Sequence, residues 1–281
     1  MTTVTSALSS NESGLKAFIK RRPLISMYIL LFLLGWPVQI LDALASHALA
    51  PKPPDILNIA TGLTPAIAAI AVTAILAGRA SVKDLFRRFL IWRVGVQWYL
   101  TGLFLLAAVI LGGIGLHVLF GGAMPEMPIA GAPVSLILFA FTVTVLVGAL
   151  VNTEEIAWRG FALPRLQSRY GALTAALLIA IPESLFHLPH FWNLNSVFYQ
   201  NVGLFWFTAF TVAIVFIYTY IFNKTNGSLL IVTLLHASQN AWANLLSDNT
   251  LRPFQFTVAL MWMIAIALIF LTKGKLGSEN P

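Results

Sequence analysis

The sequence predicts an all-α fold, a polytopic membrane helix bundle of about eight transmembrane helices plus one interfacial amphipathic helix. Of its 281 residues, 58% are hydrophobic and only 10% are charged, whereas about a quarter of an ordinary soluble domain is charged. The apolar residues form repeated runs of about 20, which is the length needed to cross a bilayer. These two observations exclude a soluble globular enzyme.

The spans follow a polar and basic N-terminal tail, residues 1–22, and precede a C-terminal tail, residues 273–281. The first apolar run is longer than the apolar part of a signal peptide, so we interpret it as a span. Residues 23–272 then form a single transmembrane bundle. The predicted spans cover residues 24–50, 56–78, 96–120, 131–153, 171–190, 202–222, 228–246 and 254–272.

One segment between the second and third spans predicts a helix that lies on the membrane surface. From Ser81 to Arg93 the apolar residues share one helical face and the basic residues lie elsewhere. A helix of this kind rests in the interface with its apolar face toward the lipid. A solvated amphipathic connector is at least as good an interpretation of this segment as any role in substrate binding.

Basic residues predict the orientation of the bundle. Assigning alternate loops to the cytoplasm places 15 of the 17 Lys and Arg residues on that side and leaves Lys52 and Arg252 on the other. Both termini are therefore expected in the cytoplasm, in a multi-pass protein of a bacterial cytoplasmic membrane. Because topology accounts for the net charge of +7, we expect no nucleic-acid partner.

The chain contains no cysteine, which excludes disulfides, thiolate nucleophiles and cysteine-bound zinc. Ionisable residues inside the apolar runs are costly and therefore point to a function. Three of them occur within six residues: Glu154, Glu155 and Arg159. Glu155 and Arg159 have the i, i+4 spacing of a helical ion pair. Glu154 points about 100° away on the helix, so it is predicted to be free of that pair.

The spacing also predicts which polar residues meet inside the bundle. If the chain reverses near Arg169, Glu154 lies 15 residues before the turn and His187 lies 18 residues after it. An antiparallel hairpin then brings the two residues to a similar height, roughly 23 to 27 Å from the turn. His236 enters from the same side of the membrane. Asn240 follows it at i+4, so the imidazole and the amide face one direction.

At these residues the sequence resembles the CPBP (CAAX protease and bacteriocin-processing, Abi-type) intramembrane endopeptidase family. Three motifs carry the resemblance: Glu154-Glu155-x-x-x-Arg159, a central histidine at His187, and His236-x-x-x-Asn240. The resemblance implies a helical bundle with a catalytic cavity inside the membrane and a protease core at about residues 131–246. Residues 1–130 match in apolar character only.

The central motif departs from the family pattern, in which an aromatic residue stands four positions before the histidine. Glu183 occupies that position before His187, whereas Phe186 has the required spacing to His190. We favour His187 because the His-Leu-Pro sequence resembles many bacterial members and because Glu154 is closer to its level. Glu183 is then placed at i, i+4 to orient the imidazole, as supporting carboxylates commonly do.

These residues suit the hydrolysis of a peptide bond. Glu154, desolvated and unpaired, is a candidate general base, and His187 would share the attacking water with it. His236 and Asn240 would stabilise the oxyanion, while Glu155 and Arg159 hold the helix. The resemblance implies the same division of roles.

Glu154, His187 and His236 are also a His₂Glu set of the kind that binds catalytic zinc. We favour the cofactor-free glutamate mechanism, because no His-Glu-x-x-His motif occurs and no second acid remains to act as a base beside a metal. A serine or aspartyl intramembrane protease fits the sequence less well.

Two other classes of function remain open. One is a membrane transporter or an ion or proton relay protein, which would use the same intramembrane charges. The other is a catalytically inactive immunity or scaffold protein. For the enzyme we expect a membrane-associated substrate in the lipid bilayer: a prenylated CAAX-type protein, a bacteriocin leader or another membrane peptide. No oligomeric state is predicted.

Overall fold

The computed structural model describes residues 14–278, and within this range the chain forms helices and no β-strand. The predicted all-α helical bundle is therefore confirmed. The α-helices are α1 (Leu15–Arg21), α2 (Pro23–Ser46), α3 (Asp55–Thr61), α4 (Thr64–Arg87), α5 (Val96–Leu119), α6 (Val134–Val151), α7 (Leu163–Phe186), α8 (Val197–Lys224), α9 (Leu229–Leu246) and α10 (Leu251–Leu271). Two 3₁₀ helices, Arg88–Leu90 and Leu188–Phe191, and a π-helix, Ile156–Ala162, complete the described elements.

Each predicted span corresponds to one of the eight long helices. Within the described part of the chain, six helices are long and apolar enough to cross a membrane: α2, α4, α5, α6, α8 and α10. The other two long helices, α7 and α9, carry polar residues of the predicted site, such as Glu183 and His236. Their lower apolar content follows from carrying these polar side chains inside the bundle.

Glycines divide several of the long helices. Gly78 in α4, Gly171 in α7 and Gly203 in α8 have φ values of 73°, 75° and 71° and extended ψ angles. This backbone region is open almost only to glycine. Because the helix breaks at Gly78, the segment predicted to lie on the membrane surface is a separate helical piece. Leu85 in this piece packs into the core, whereas Lys83 is exposed.

Parts of the two segments assigned to the tails pack against the bundle. Residues 1–13 lie outside the described range, but α1 contacts α2 and α4 and buries Ile19 in the core. At the other end Leu276 is fully buried, while residues 279–281 lie outside the described range. The bundle therefore includes parts of both predicted tails, because single apolar residues in them pack into the core.

The helices that carry the predicted site pack in the centre of the bundle. α9 contacts α5 and α6, and α8 contacts α7 and α10. α6 buries only Val145 and presents its other apolar residues outward, as expected of a helix that faces lipid. The site residues therefore lie on α8 and α9, on α7 and the residue that follows it, and on the π-helix between α6 and α7 and the residues just before it.

Candidate active site

The first and second motifs face each other across a hairpin centred on Gly171. Glu154 Oε2 lies 3.9 Å from His187 Nε2, and Arg159 Nη1 lies 3.1 Å from Glu183 Oε2. Arg159 and Glu183 are each twelve residues from Gly171, while Glu154 precedes it by seventeen residues and His187 follows it by sixteen. The structure thus contains the antiparallel hairpin that the spacing predicts.

Glu154 and Glu155 lie where the chain leaves α6 and enters the π-helix. Just before them, Thr153 binds the start of α4: its N–H and its hydroxyl both donate to the Gly62 carbonyl, and its Oγ1 accepts from the Ala66 N–H at 3.2 Å. Every residue of the π-helix is buried. Single turns of π-helix occur often at functional sites, and here such a turn brings three charged groups to the bundle interior.

Glu155 and Arg159 form the predicted ion pair, and the pair belongs to a larger network. Arg159 Nη1 donates to Glu155 Oε1 at 3.1 Å and to Glu183 Oε1 at 3.2 Å. Its guanidinium lies 4.3 Å from the centre of the Tyr218 ring, a cation–π contact. Arg159 is 0% exposed, so its charge depends on these carboxylates for stabilisation. It therefore holds α7 against the π-helix and is not a loop residue that sets topology.

Glu154 is separate from that ion pair, as the spacing predicts, but it is not without a partner. Trp158 Nε1 donates to Glu154 Oε2 at 3.1 Å. The same oxygen faces His187 Nε2 at 3.9 Å, which exceeds the length of a direct hydrogen bond. A single water molecule can bridge such a gap. Trp158 thus fixes the carboxylate while leaving it directed at the imidazole.

His187 is oriented by Tyr199 and not by Glu183. Tyr199 Oη lies 3.1 Å from His187 Nδ1, and the two rings stack with centres 6.0 Å apart. Glu183 instead binds Arg159. The prediction that Glu183 orients the imidazole is wrong, because the positive charge of Arg159 is the stronger partner for a buried carboxylate.

Helix α2 holds the segment that contains His187. The Trp36 indole donates to the Phe186 carbonyl at 3.2 Å, and Asp42 Oδ2 accepts from Asn193 Nδ2 at 2.7 Å. His47 Nε2 lies 2.8 Å from the Trp192 carbonyl oxygen. These contacts secure both sides of the 3₁₀ helix Leu188–Phe191 and hence the position of His187.

His190, the competing central histidine, lies beside both Tyr199 and His187, and the centres of the two histidine rings are 6.1 Å apart. Its ring stacks on the Tyr199 ring with centres 5.0 Å apart. His187 lines an internal cavity of the bundle together with Glu154, whereas His190 does not. The geometry therefore brings His187, rather than His190, to the candidate base.

His236 contacts a neighbour through each of its ring nitrogens. Nδ1 lies 2.8 Å from Glu155 Oε1, and Nε2 lies 3.0 Å from Asn152 Nδ2. Asn152 Oδ1 accepts the backbone N–H of Glu154 at 3.3 Å, so the amide nitrogen is the group that faces the histidine. His236 Nε2 is then an acceptor, and the ring proton lies on Nδ1. This arrangement differs from the prediction that His236 offers an N–H to the substrate.

These groups open on a cavity of about 470 Å³ inside the bundle. Its polar wall contains Asn152, Glu154, His187, His236 and Asn240. The other walls are mainly apolar and aromatic: Leu106, Ile110, Ile114, Phe198, Phe207, Phe210, Ile214 and Phe254. Ser247, Asp248 and Asn249 line the cavity at the C-terminal end of α9. The cavity thus runs from the charged cluster toward that end of the bundle.

The donor atoms do not fit the predicted His₂Glu metal set. In the described range 14–278, no group of three or more His, Asp or Glu side chains is arranged to hold a metal ion. Both nitrogens of His236 face other side chains, so this residue does not join Glu154 and His187 around a common point.

Four residues of the site were not singled out in the sequence: Asn152, Trp158, Tyr199 and Tyr218. Trp158 lies at i+4 from Glu154, where helical spacing indicates a contact. Asn152 lies two residues before Glu154, the spacing at which an Asn side chain accepts a backbone N–H in a turn. Tyr199 and Tyr218 lie on α8, and nothing in their local sequence distinguishes them from other aromatic residues of a membrane helix.

The fold and the site together define a polytopic helical membrane protein with a buried Glu, His and Arg cluster beside an internal cavity. Residues 133–242, which contain all three motifs, match the family model described as type II CAAX prenyl endopeptidase, Rce1-like. The chain is also similar to CAAX prenyl protease 2 of Methanococcus maripaludis, with 29% identity over 179 residues. That match covers 60% of this chain and 64% of the relative's length. Both comparisons confirm the resemblance to the CAAX-type endopeptidase family.

Proposed function

We propose that the protein is an intramembrane endopeptidase that hydrolyses a peptide bond of a prenylated, CAAX-type protein or peptide. The observation that carries the proposal is the 3.9 Å separation of Glu154 Oε2 and His187 Nε2 on the polar wall of an otherwise apolar cavity. The match to the prenyl endopeptidase family model and the name of the 29% identical relative support the substrate class.

In the proposed mechanism a water molecule lies between Glu154 and His187. With its proton on Nδ1 and shared with Tyr199, His187 presents Nε2 as an acceptor. The water then donates one hydrogen to each residue and directs a lone pair at the peptide carbonyl carbon. Glu154 takes a proton from the water as the carbon–oxygen bond forms, and this proton passes to the leaving amine nitrogen as the peptide bond breaks.

The oxyanion formed in this step needs hydrogen-bond donors. We assign this role to Asn240 and Asn152, both of which line the cavity. The Asn152 amide nitrogen has two N–H groups, and only one of them faces His236. His236, held by Glu155, then acts by orienting Asn152.

The apolar and aromatic walls of the cavity suit the binding of a prenyl chain, because such walls bury hydrocarbon surface without leaving polar groups unpaired. The polar residues at its other end, Ser247 to Asn249, suit the peptide part of a substrate or its passage to water. We propose that substrates enter at this end of α9.

The proposal is tested with the purified protein in detergent and a quenched fluorescent peptide that ends in a prenylated CAAX sequence. The wild type should cleave this peptide, and Glu154→Gln should reduce the rate at least about 10³-fold, because the base is lost. Glu126→Gln, which changes an exposed glutamate, is the matched control and should retain full activity.

Two further arms of the assay refine the result. The same peptide without its prenyl group should be cleaved much more slowly, which tests the role of the apolar walls. Activity that survives a chelator supports the glutamate mechanism, and activity lost with a chelator and restored by zinc contradicts it. Full activity of Glu154→Gln would contradict the proposed function itself.

A further inference from the structure

A second cavity, of about 490 Å³, lies at the opposite end of α9 from the substrate cavity. We call it the basic cavity. It lies between the 3₁₀ helix Arg88–Leu90, the start of α7, the end of α8 and the C-terminal segment. Its lining residues are Arg88, Pro164, Gln167, Phe222, Asn223, Lys224, Asn226, Gly227, Gly277 and Ser278. None of them belongs to the candidate active site.

The wall formed by the C-terminal segment is held in place by specific contacts. Leu276 is 0% exposed and packs into the core. Its carbonyl accepts from Asn223 Nδ2 at 3.0 Å, and its N–H donates to Thr272 Oγ1 at 3.0 Å. The basic cavity is therefore a built feature of the fold, with one wall anchored by an apolar side chain.

The charged residues of the described lining are both basic. Arg88 and Lys224 line the cavity, and among residues 14–278 no acidic residue does so. The Arg88 guanidinium lies 5.6 Å from the centre of the Phe222 ring. Among residues 14–278, no carboxylate pairs with Arg88, because Asp84 on the same helix binds Arg87 at 2.7 Å instead. Burial and the positive charge of Arg88 lower the pKa of Arg165, so a bound anion would relieve the repulsion between the two guanidinium groups.

Uncharged donors complete the site. The Gln167 side chain lines the cavity, and its amide nitrogen carries two N–H groups that can donate to an anion. A guanidinium, an ammonium and an amide together are the donor set that suits phosphate oxygens.

We propose that the basic cavity binds a phosphate group, either as the headgroup of an anionic phospholipid or as free inorganic phosphate. The position favours this ligand, because the cavity lies at the end of the bundle where the basic loops predict the cytoplasmic side. Basic pockets between helices at that membrane surface bind phosphate headgroups. The bound anion links the 3₁₀ helix Arg88–Leu90, the start of α7, the end of α8 and the C-terminal segment, and so stabilises this end of the bundle.

The test measures the thermal unfolding midpoint, which rises when a ligand binds the folded state. In one arm the detergent-purified protein is titrated with inorganic phosphate and, at matched ionic strength, with chloride. In the other arm it is placed in phosphate-free nanodiscs of phosphatidylcholine, with or without phosphatidylglycerol. The wild type should gain several degrees from one or both anions relative to the chloride or phosphatidylcholine control.

Three variants locate the effect. Arg88→Gln/Lys224→Gln should lose the stabilisation, and Arg88→Lys, which keeps the charge, should retain most of it. The matched control Lys83→Gln/Arg93→Gln removes two exposed charges outside the cavity and should respond as the wild type does.

The pattern of responses identifies the source of the phosphate group. Stabilisation by phosphatidylglycerol alone would identify the ligand as a lipid headgroup. Stabilisation by inorganic phosphate would show that the phosphate group binds without the rest of a lipid. The proposal is overturned if neither anion exceeds its control, or if the Arg88/Lys224 double variant responds as strongly as the Lys83/Arg93 variant. Because the readout is unfolding, these outcomes do not depend on the proposed peptidase activity.

Discussion

Tyr199 Oη lies 3.1 Å from Nδ1 of His187, which places the other ring nitrogen of His187 toward Glu154. Tyr199 belongs to the short first part of α8, before the break at Gly203. Since that break separates residues 197–202 from the axis of the main helix, it allows Tyr199 to reach across to the end of α7. The orientation of the candidate catalytic histidine thus depends on a residue of another helix.

Tyr199→Phe should lower the turnover number about tenfold, which corresponds to the loss of one hydrogen bond that fixes the imidazole. The ring stacking on His187 and His190 is kept, so the unfolding midpoint should change little. Peptide cleavage and thermal unfolding are measured together, with Tyr220→Phe as the control because Tyr220 packs against Trp98, outside the cavity. Equal effects of the two substitutions would argue against a positioning role for Tyr199.

Substitutions of the two adjacent glutamates should have different effects on stability, although both should lower activity. Glu155→Gln removes one of the two carboxylates that stabilise the buried Arg159 charge, and breaking a buried pair typically costs about 3 to 5 kcal/mol. It should therefore lower the unfolding midpoint as well as the activity. Glu154→Gln keeps an acceptor for the Trp158 indole and should be inactive with near-wild-type stability.

Thermal unfolding of both variants, measured beside peptide cleavage, distinguishes these roles. If Glu154→Gln unfolds early and Glu155→Gln is the stable inactive protein, the two assignments must be exchanged. Glu126→Gln serves again as the exposed control, and it should change neither quantity.

The central histidine is tested by comparing His187→Ala with His190→Ala. His187 faces Glu154, so its loss should abolish cleavage. His190 stacks on Tyr199 and lies outside the cavity lining, so its loss should leave at least about a tenth of the activity. The peptide cleavage rates of the two purified variants are compared. A greater loss of activity in His190→Ala than in His187→Ala would make His190 the central histidine.

Asn152 provides a test of the proposed oxyanion donors. Asn152→Ala should lower the turnover number about 10²- to 10³-fold, as expected for the loss of one such donor. Asn152→Asp should not restore it, because an ionised carboxylate accepts hydrogen bonds and donates none. Asn244→Ala, which alters another amide at the cavity, is the control. A normal turnover number in Asn152→Ala would contradict this role and would favour His236 as the hydrogen-bond donor to the oxyanion.

Much of the architecture could be predicted because membrane insertion leaves a strong signal in the sequence. The apolar runs match the long helices, and the helical spacing correctly pairs Glu155 with Arg159. The position of Glu154 opposite His187 could also be predicted, since residue counts along two helices joined by one turn determine their relative height.

Contacts between residues on different helices could not be predicted from spacing along the sequence. The choice of Arg159 rather than His187 as the partner of Glu183 depends on how the π-helix rotates the Arg159 side chain toward α7. The contact of Tyr199 with His187 depends on the break at Gly203, and that of Asn152 with His236 joins positions 84 residues apart. Local periodicity carries no information about these pairings. The predicted orientation of the bundle and its cytoplasmic termini remain predictions.

The equal arms on the two sides of Gly171 have a consequence for how this hairpin tolerates changes in length. One residue added to a single arm would move its site residue by about 1.5 Å along the helix and turn it by about 100°. Glu154 would then no longer face His187, although every motif would still be present in the sequence. A residue added to both arms would keep the two residues at one height but would still turn each of them by about 100°. Length changes near Gly171 are therefore compatible with the site only when both arms change together by about a full helical turn.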